Sequence, residues 1–230
     1  MDPQWASIAH TASTWVLPVV LAITLHEAAH GFVARWFGDD TAWNQGRVSL
    51  NPLKHVDPFG TVVLPALLLL MRAPFLFGYA KPVPVNFRAL RNPRRDMVWV
   101  AAAGPAMNLA LATLAALLAH AVPLLPEASH LWLLKNLENT ILINVMLAVF
   151  NMIPLPPLDG GRVAVGLLPD SLALPLARLE RQGMLILIGL LFLLPLLGRQ
   201  IGVDLDVIGA VIGPVANFVI GVILRLTGNG

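Results

Sequence analysis

The stretch TWVLPVVLAITLHEAAHGFVARW, residues 14–36, decides how this chain is built. As a helix rising about 1.5 Å per residue it is long enough to cross a hydrocarbon core of about 30 Å. Inside it, His26, Glu27 and His30 form an H-E-x-x-H pattern. An ionisable side chain at membrane depth costs roughly 2.5–3.5 kcal/mol on insertion scales, so three within two turns call for a compensating function. A bound metal is that compensation. Residues four apart lie on one helical face, about 6 Å apart along the axis, so both imidazoles reach one ion. Glu27 flanks that face without competing as a ligand, which suits a general base acting on a water that the metal activates. Imidazole and carboxylate donors favour zinc, which tolerates an open coordination position.

Working outward, the composition agrees with a membrane setting. Hydrophobic residues make up 57% of the 230, charged residues only 12%, and the mean hydropathy is +0.75, which excludes a soluble globular domain. Apolar blocks fall at 14–36, 58–71, 97–119, 138–156, 183–197 and 206–226. They predict an all-α polytopic membrane protein, one domain over residues 1–230, with about five transmembrane helices. The first block is expected to be a retained span, since no basic residue precedes it and it carries the motif. Without cysteine there are no disulfides and no thiolate metal ligands. The small positive charge resides in loops and gives no sign of nucleic-acid binding.

Charge asymmetry predicts the orientation. Arg72, Lys81, Arg88, Arg91, Arg94 and Arg95 face Asp96 alone in the loop 72–96, which is expected on the cytoplasmic side. Arg35, Arg47 and Lys54 place the preceding loop there too. Block 58–71 then begins and ends on one side. As a helix it would reach only about 21 Å, so residues 58–80 are expected to form a re-entrant or half-buried hairpin, followed by a short extended loop near 78–86. A re-entrant segment must hide its backbone in protein or a wet cavity, which puts it beside the active site.

A catalytic zinc needs a third protein ligand, and Asp159 is the candidate. It follows Asn151-Met152-Ile153-Pro154-Leu155-Pro156-Pro157-Leu158, whose prolines must break a helix, and precedes Gly160-Gly161, which permit a tight turn. A plain turn aspartate is the competing reading.

Together, H-E-A-A-H at 26–30 and N-M-I-P-L-P-P-L-D-G-G-R at 151–162 resemble the site-2 protease family of intramembrane zinc metalloproteases. The resemblance extends through Gly78-Tyr79-Ala80-Lys81-Pro82-Val83-Pro84-Val85-Asn86 and Ala103-Gly104-Pro105-Ala106-Met107-Asn108, covering most of residues 20–165, and is greatest to the short prokaryotic branch without PDZ or CBS modules. It implies that His26, His30 and Asp159 hold one Zn2+ per chain and that Glu27 is the catalytic base. It also implies regulated cleavage of peptide bonds within or near transmembrane segments, by a multi-pass protein of the prokaryotic plasma membrane whose site faces the cytoplasm.

Other residues keep two readings. Asn151 and Asn108 suit a substrate or oxyanion contact, or an interhelical hydrogen bond. Val83 and Val85, alternating with prolines, suit an edge to which an unwound substrate adds as a strand. His55 suits a gate or regulatory contact, or an interfacial loop histidine. Gly-Pro-x-x-Asn at 104–108 and again at 213–217 reads as packing grammar. The rival class is a metal-binding transporter or scaffold using the same ligands without hydrolysis; only a hydrolase needs Glu27.

Overall fold

The computed structural model of the chain describes residues 3–63, Leu67 and 81–230. Among them all regular structure is helical. Seven helices organise the chain: α1 (Pro3–Trp36), α2 (Pro93–Ala119), α3 (Glu127–Asn151), α4 (Asp159–Leu167), α5 (Asp170–Arg178), α6 (Glu180–Ile201) and α7 (Val207–Leu226). Five of these, α1 from Ala9 onward, α2, α3, α6 and α7, are long and apolar enough to cross a membrane. The chain is thus a multi-pass helical membrane protein, as the apolar blocks predict.

Where the boundaries differ from the blocks, local chemistry decides. Helix α3 starts well before residue 138, because Glu127–Leu137 holds good helix formers whose polarity hides them from a hydropathy reading. It stops at Asn151, ahead of the prolines. Pro18, Pro105 and Pro214 sit inside α1, α2 and α7, and the Thr14 carbonyl that Pro18 frees accepts from Asn139 of α3 at 3.0 Å.

Helix α2 is the centre of the bundle, packed on α1, α3 and α4. Ala112, Ala115 and Ala116 of α2 meet Ile141 and Val145 of α3 and Ala216 and Ile223 of α7. Small side chains bring backbones close where lipid offers no hydrophobic drive. A second cluster, Ala34, Leu90 and Val100, joins the end of α1 to the start of α2. Helix α6 lies at the periphery with little of its surface covered.

Of the expected re-entrant hairpin 58–80, residues 58–63 form one widened helical winding; the rest of it, apart from Leu67, lies outside the described residues. Of the extended loop 78–86, residues 78–80 also lie outside, while 81–86 run without helix or strand.

Helix α4 begins at Asp159 because the chain doubles back on the proline loop. A Cβ at Gly160 would meet the Ile153 carbonyl oxygen at 2.6 Å, and one at Gly161 would meet Pro156 Cδ at 2.6 Å. No side chain fits at either position, so the first turn of α4 rests directly on residues 152–156. Gly183 of α6 closes on the same loop, its would-be Cβ 2.9 Å from Pro157 Cδ.

Candidate metal centre

One helical turn sets His26 above His30 on α1, with ring centroids 4.7 Å apart and planes at 84°. Their Nε2 atoms are 3.1 Å apart. The turn that opens α4 brings Asp159 Oδ2 to 3.3 Å from His26 Nε2 and 3.4 Å from His30 Nε2. All three residues are buried. Among the described residues this is the one cluster of histidines and carboxylates spaced to share a metal ion.

The backs of the imidazoles are engaged. His30 Nδ1 lies 2.7 Å from the Val100 carbonyl oxygen, which only accepts, so Nδ1 carries the proton and Nε2 presents its lone pair. His26 Nδ1 lies 2.5 Å from Asn108 Oδ1. Asp159 Oδ2 is buried without a hydrogen-bond partner. With both imidazoles neutral and Asp159 ionised, three lone pairs converge on one point, an arrangement that a cation among them would relieve.

The spacing fits zinc. Two ligands about 2.0–2.1 Å from a tetrahedral centre stand roughly 3.3 Å apart, and all three separations here fall close to that. The space is also kept open. Gly104 of α2 faces the cluster, and a Cβ there would come within 2.6 Å of His26 Nε2.

Beside the cluster, Glu27 is half-buried and its Oε2 accepts the Val83 N–H at 2.7 Å. Val83 belongs to the non-helical segment 81–86, which is tethered along its length. Lys81 N–H donates to the His55 carbonyl and Asn86 N–H to Asp39 Oδ2, while Arg47 donates to the carbonyls of Lys54, Lys81 and Pro82. These tethers hold Val83 against the carboxylate.

Comparison with known proteins turns this geometry into an identification. Residues 126–196, which include α3 and the Asp159 turn, match peptidase family M50. Over 185 residues the chain is 40% identical to "Putative zinc metalloprotease YwhC" of Bacillus subtilis (strain 168), covering 79% of this chain and 80% of the relative. The chain belongs to peptidase family M50. It is also 31% identical over 181 residues to "Putative zinc metalloprotease Rip2" of Mycolicibacterium smegmatis, covering 78% of this chain and 66% of that protein. The Rip2 protein of Mycobacterium tuberculosis H37Rv is 33% identical over 141 residues, or 61% and 52% of the two chains. No solved structure matches the chain. This M50 protein is accordingly a zinc metalloprotease, the class that the two sequence motifs predict.

The remaining sequence candidates lie as follows. Asn108 is completely buried, with both amide hydrogens on other protein groups, Ala22 O and Asn144 Oδ1. Asn151 donates to the Leu147 carbonyl of its own helix. Val83 is buried with its N–H on Glu27, whereas Val85 is half-buried against the Ala34 cluster. His55 is buried beneath the loop 49–55, its Nε2 donating to the Ser49 carbonyl. Sequence reading missed Gly104, Asn144, Asp39 and Arg47 as contributors. Gly104 and Asn144 were legible only as a small residue and an amide on apolar helices, and nothing in the chain marks Asp39 or Arg47 as tethers.

Proposed function

We propose that this M50 metalloprotease is an intramembrane protease, a single domain over residues 1–230 that hydrolyses peptide bonds within or near transmembrane segments of membrane proteins. His26, His30 and Asp159 hold the zinc and Glu27 is the general base. The observation that carries this reading is the convergence of Asp159 Oδ2 of α4 on the Nε2 atoms of His26 and His30, which lie on a helix long enough to span the bilayer.

Bound zinc would supply Lewis acidity, polarising the scissile carbonyl and making the attacking water acidic near neutral pH. The protein's own groups do the rest. Val83 N–H orients the Glu27 carboxylate through Oε2, and Glu27 takes the proton from water and then delivers it to the leaving amine nitrogen. Fixing one carboxylate oxygen also fixes the plane of the other, which limits the reorganisation needed for proton transfer.

A substrate helix has its amides closed in i to i−4 hydrogen bonds and must unwind locally before a carbonyl is exposed. The non-helical segment 81–86 is where the unwound stretch would lie, with the Val85 N–H as its donor because those of Lys81, Val83 and Asn86 are engaged. Arg35 at the end of α1, with Arg94 and Arg95 at the start of α2, supports a cytoplasmic orientation for the mouth of the site.

The decisive experiment measures zinc by elemental analysis in detergent-purified wild type, Asp159→Ala and Glu27→Gln, alongside cleavage of a transmembrane peptide. The expected result is about one zinc in wild type and Glu27→Gln, depletion in Asp159→Ala, and cleavage by wild type alone. Wild-type cleavage by Glu27→Gln would overturn the base assignment, and undiminished zinc in Asp159→Ala would overturn the ligand set.

A further inference from the structure

A chain of amides runs from α3 to the back of His26 and has only one possible polarity. At its far end Asn144 Nδ2 donates to the Thr140 carbonyl at 2.8 Å, which turns Asn144 Oδ1 toward α2. There Asn108 Nδ2 donates to Asn144 Oδ1 at 2.7 Å and to the Ala22 carbonyl at 3.2 Å. With its nitrogen so committed, Asn108 must present Oδ1 to His26 Nδ1. Thr140 O and Ala22 O are backbone carbonyls and cannot donate, so flipping either amide would set oxygen against oxygen in a site from which water is excluded. Both asparagines are completely buried.

We infer that Asn108 and Asn144 are positioning residues for the metal centre, an amide relay that keeps the proton of His26 on Nδ1 and its Nε2 lone pair directed at the ion. A metal-bound histidine needs a hydrogen-bond acceptor behind it to hold tautomer and ring orientation, and loss of that acceptor typically weakens metal binding about 10- to 100-fold. His30 draws on the Val100 carbonyl for this, a backbone group that no substitution removes. His26 lies on α1 with no such carbonyl on its Nδ1, and the relay supplies one from two neighbouring helices. The relay also links α1 to α3, the helix from which the Asp159 turn hangs, so one network registers both sides of the ligand set.

A merely structural amide would behave differently, and the protein contains the control. Asn139, also on α3, donates to the Thr14 carbonyl of α1 at 3.0 Å, a buried bond between the same two helices remote from the ligands. The inference rests on the proposed zinc ligands, and chelator-competition titration of zinc separates the two. Wild type and Asp159→Ala report on the ligand set alone; Asn108→Ala, Asn144→Ala and Asn139→Ala report on the relay. Expected is zinc binding about 10- to 100-fold weaker in Asn108→Ala, a smaller loss in Asn144→Ala and no change in Asn139→Ala. At saturating Co2+, the visible d–d bands should change in Asn108→Ala and not in Asn139→Ala. Equal weakening by Asn108→Ala and Asn139→Ala, or none by Asn108→Ala, would overturn the relay while leaving the ligand set standing. If Asn108→Ala does not fold, Asn144→Ala decides: weaker zinc supports the relay, and unchanged zinc overturns it.

Discussion

Gly104→Ala adds a single methyl group, and the structure assigns it a consequence out of proportion to its size. The new Cβ would press on His30 Nε2 and lie 2.5 Å from His26 Cε1, whereas ordinary contact begins near 3.4 Å, so the His26 ring must retreat by about 0.9 Å and the His30 ring must yield as well. Metal sites tolerate ligand displacements of only about 0.2 Å. The retreat must also be made against Asn108, which holds the far side of the same ring. Zinc affinity should fall by more than the roughly 10- to 100-fold typical of changes behind a ligand, because here a proposed ligand is itself displaced. The unliganded fold should change little. Alanine in place of glycine within a helix gains about 1 kcal/mol, and the crowding costs about 1–3 kcal/mol. The assay is zinc content and chelator competition, paired with thermal unfolding in EDTA. Wild-type zinc affinity in a folded Gly104→Ala protein would refute the placement of the ion against α2 at Gly104.

Further perturbations separate the other parts of the site. Val83→Pro deletes the N–H that holds Glu27 Oε2, and a hydrogen bond to a charged group is worth about 1.5–3 kcal/mol. Peptide cleavage should therefore fall about 10- to 100-fold at unchanged zinc content, and loss of zinc would show that the segment supports the ligands instead. Asp39→Ala leaves the Thr41 and Asn86 N–H groups without their carboxylate, at a cost of about 2 kcal/mol. Limited proteolysis should then cut within 81–92 sooner than in wild type, and an unaltered pattern would count against the tether. Gly183→Ala presses α6 into the Pro156–Pro157 turn and should lower thermal stability by about 1–3 kcal/mol, read by unfolding with zinc present. EDTA should abolish cleavage and zinc restore it; activity that survives complete metal removal would contradict the metalloprotease chemistry.

Much of this centre was legible in the sequence, and the line between what was and was not is physical. His26 and His30 declare themselves because helical periodicity alone brings i and i+4 together, and apolar surroundings make their cost visible. Asp159 is readable for a related reason, since prolines and glycines at 154–161 leave the backbone few paths and aim the first residue of α4. What the sequence does not disclose is which atoms of different helices touch. Asn108 in Gly-Pro-x-x-Asn looks identical to Asn217 in the second copy of that pattern, yet it is Asn108 that stands behind His26, a proposed ligand. Gly104 likewise differs from Gly213 only in what faces it, since a Cβ at Gly213 would meet nothing within 4 Å.

The contrast between those two copies explains why the relay has the residues it has. A carboxylate behind His26 would polarise the imidazole more strongly, but at membrane depth it would add a second buried charge to a site that already holds Asp159. An amide supplies an acceptor with no net charge, yet it is free to flip, and a flipped amide would present a donor to Nδ1. The flip is prevented only if something that accepts and never donates holds the nitrogen end. Ala22 O and Asn144 Oδ1 do this, and Asn144 is itself fixed by Thr140 O. Two asparagines on two helices are therefore the smallest neutral device here that gives His26 the acceptor that a backbone carbonyl gives His30.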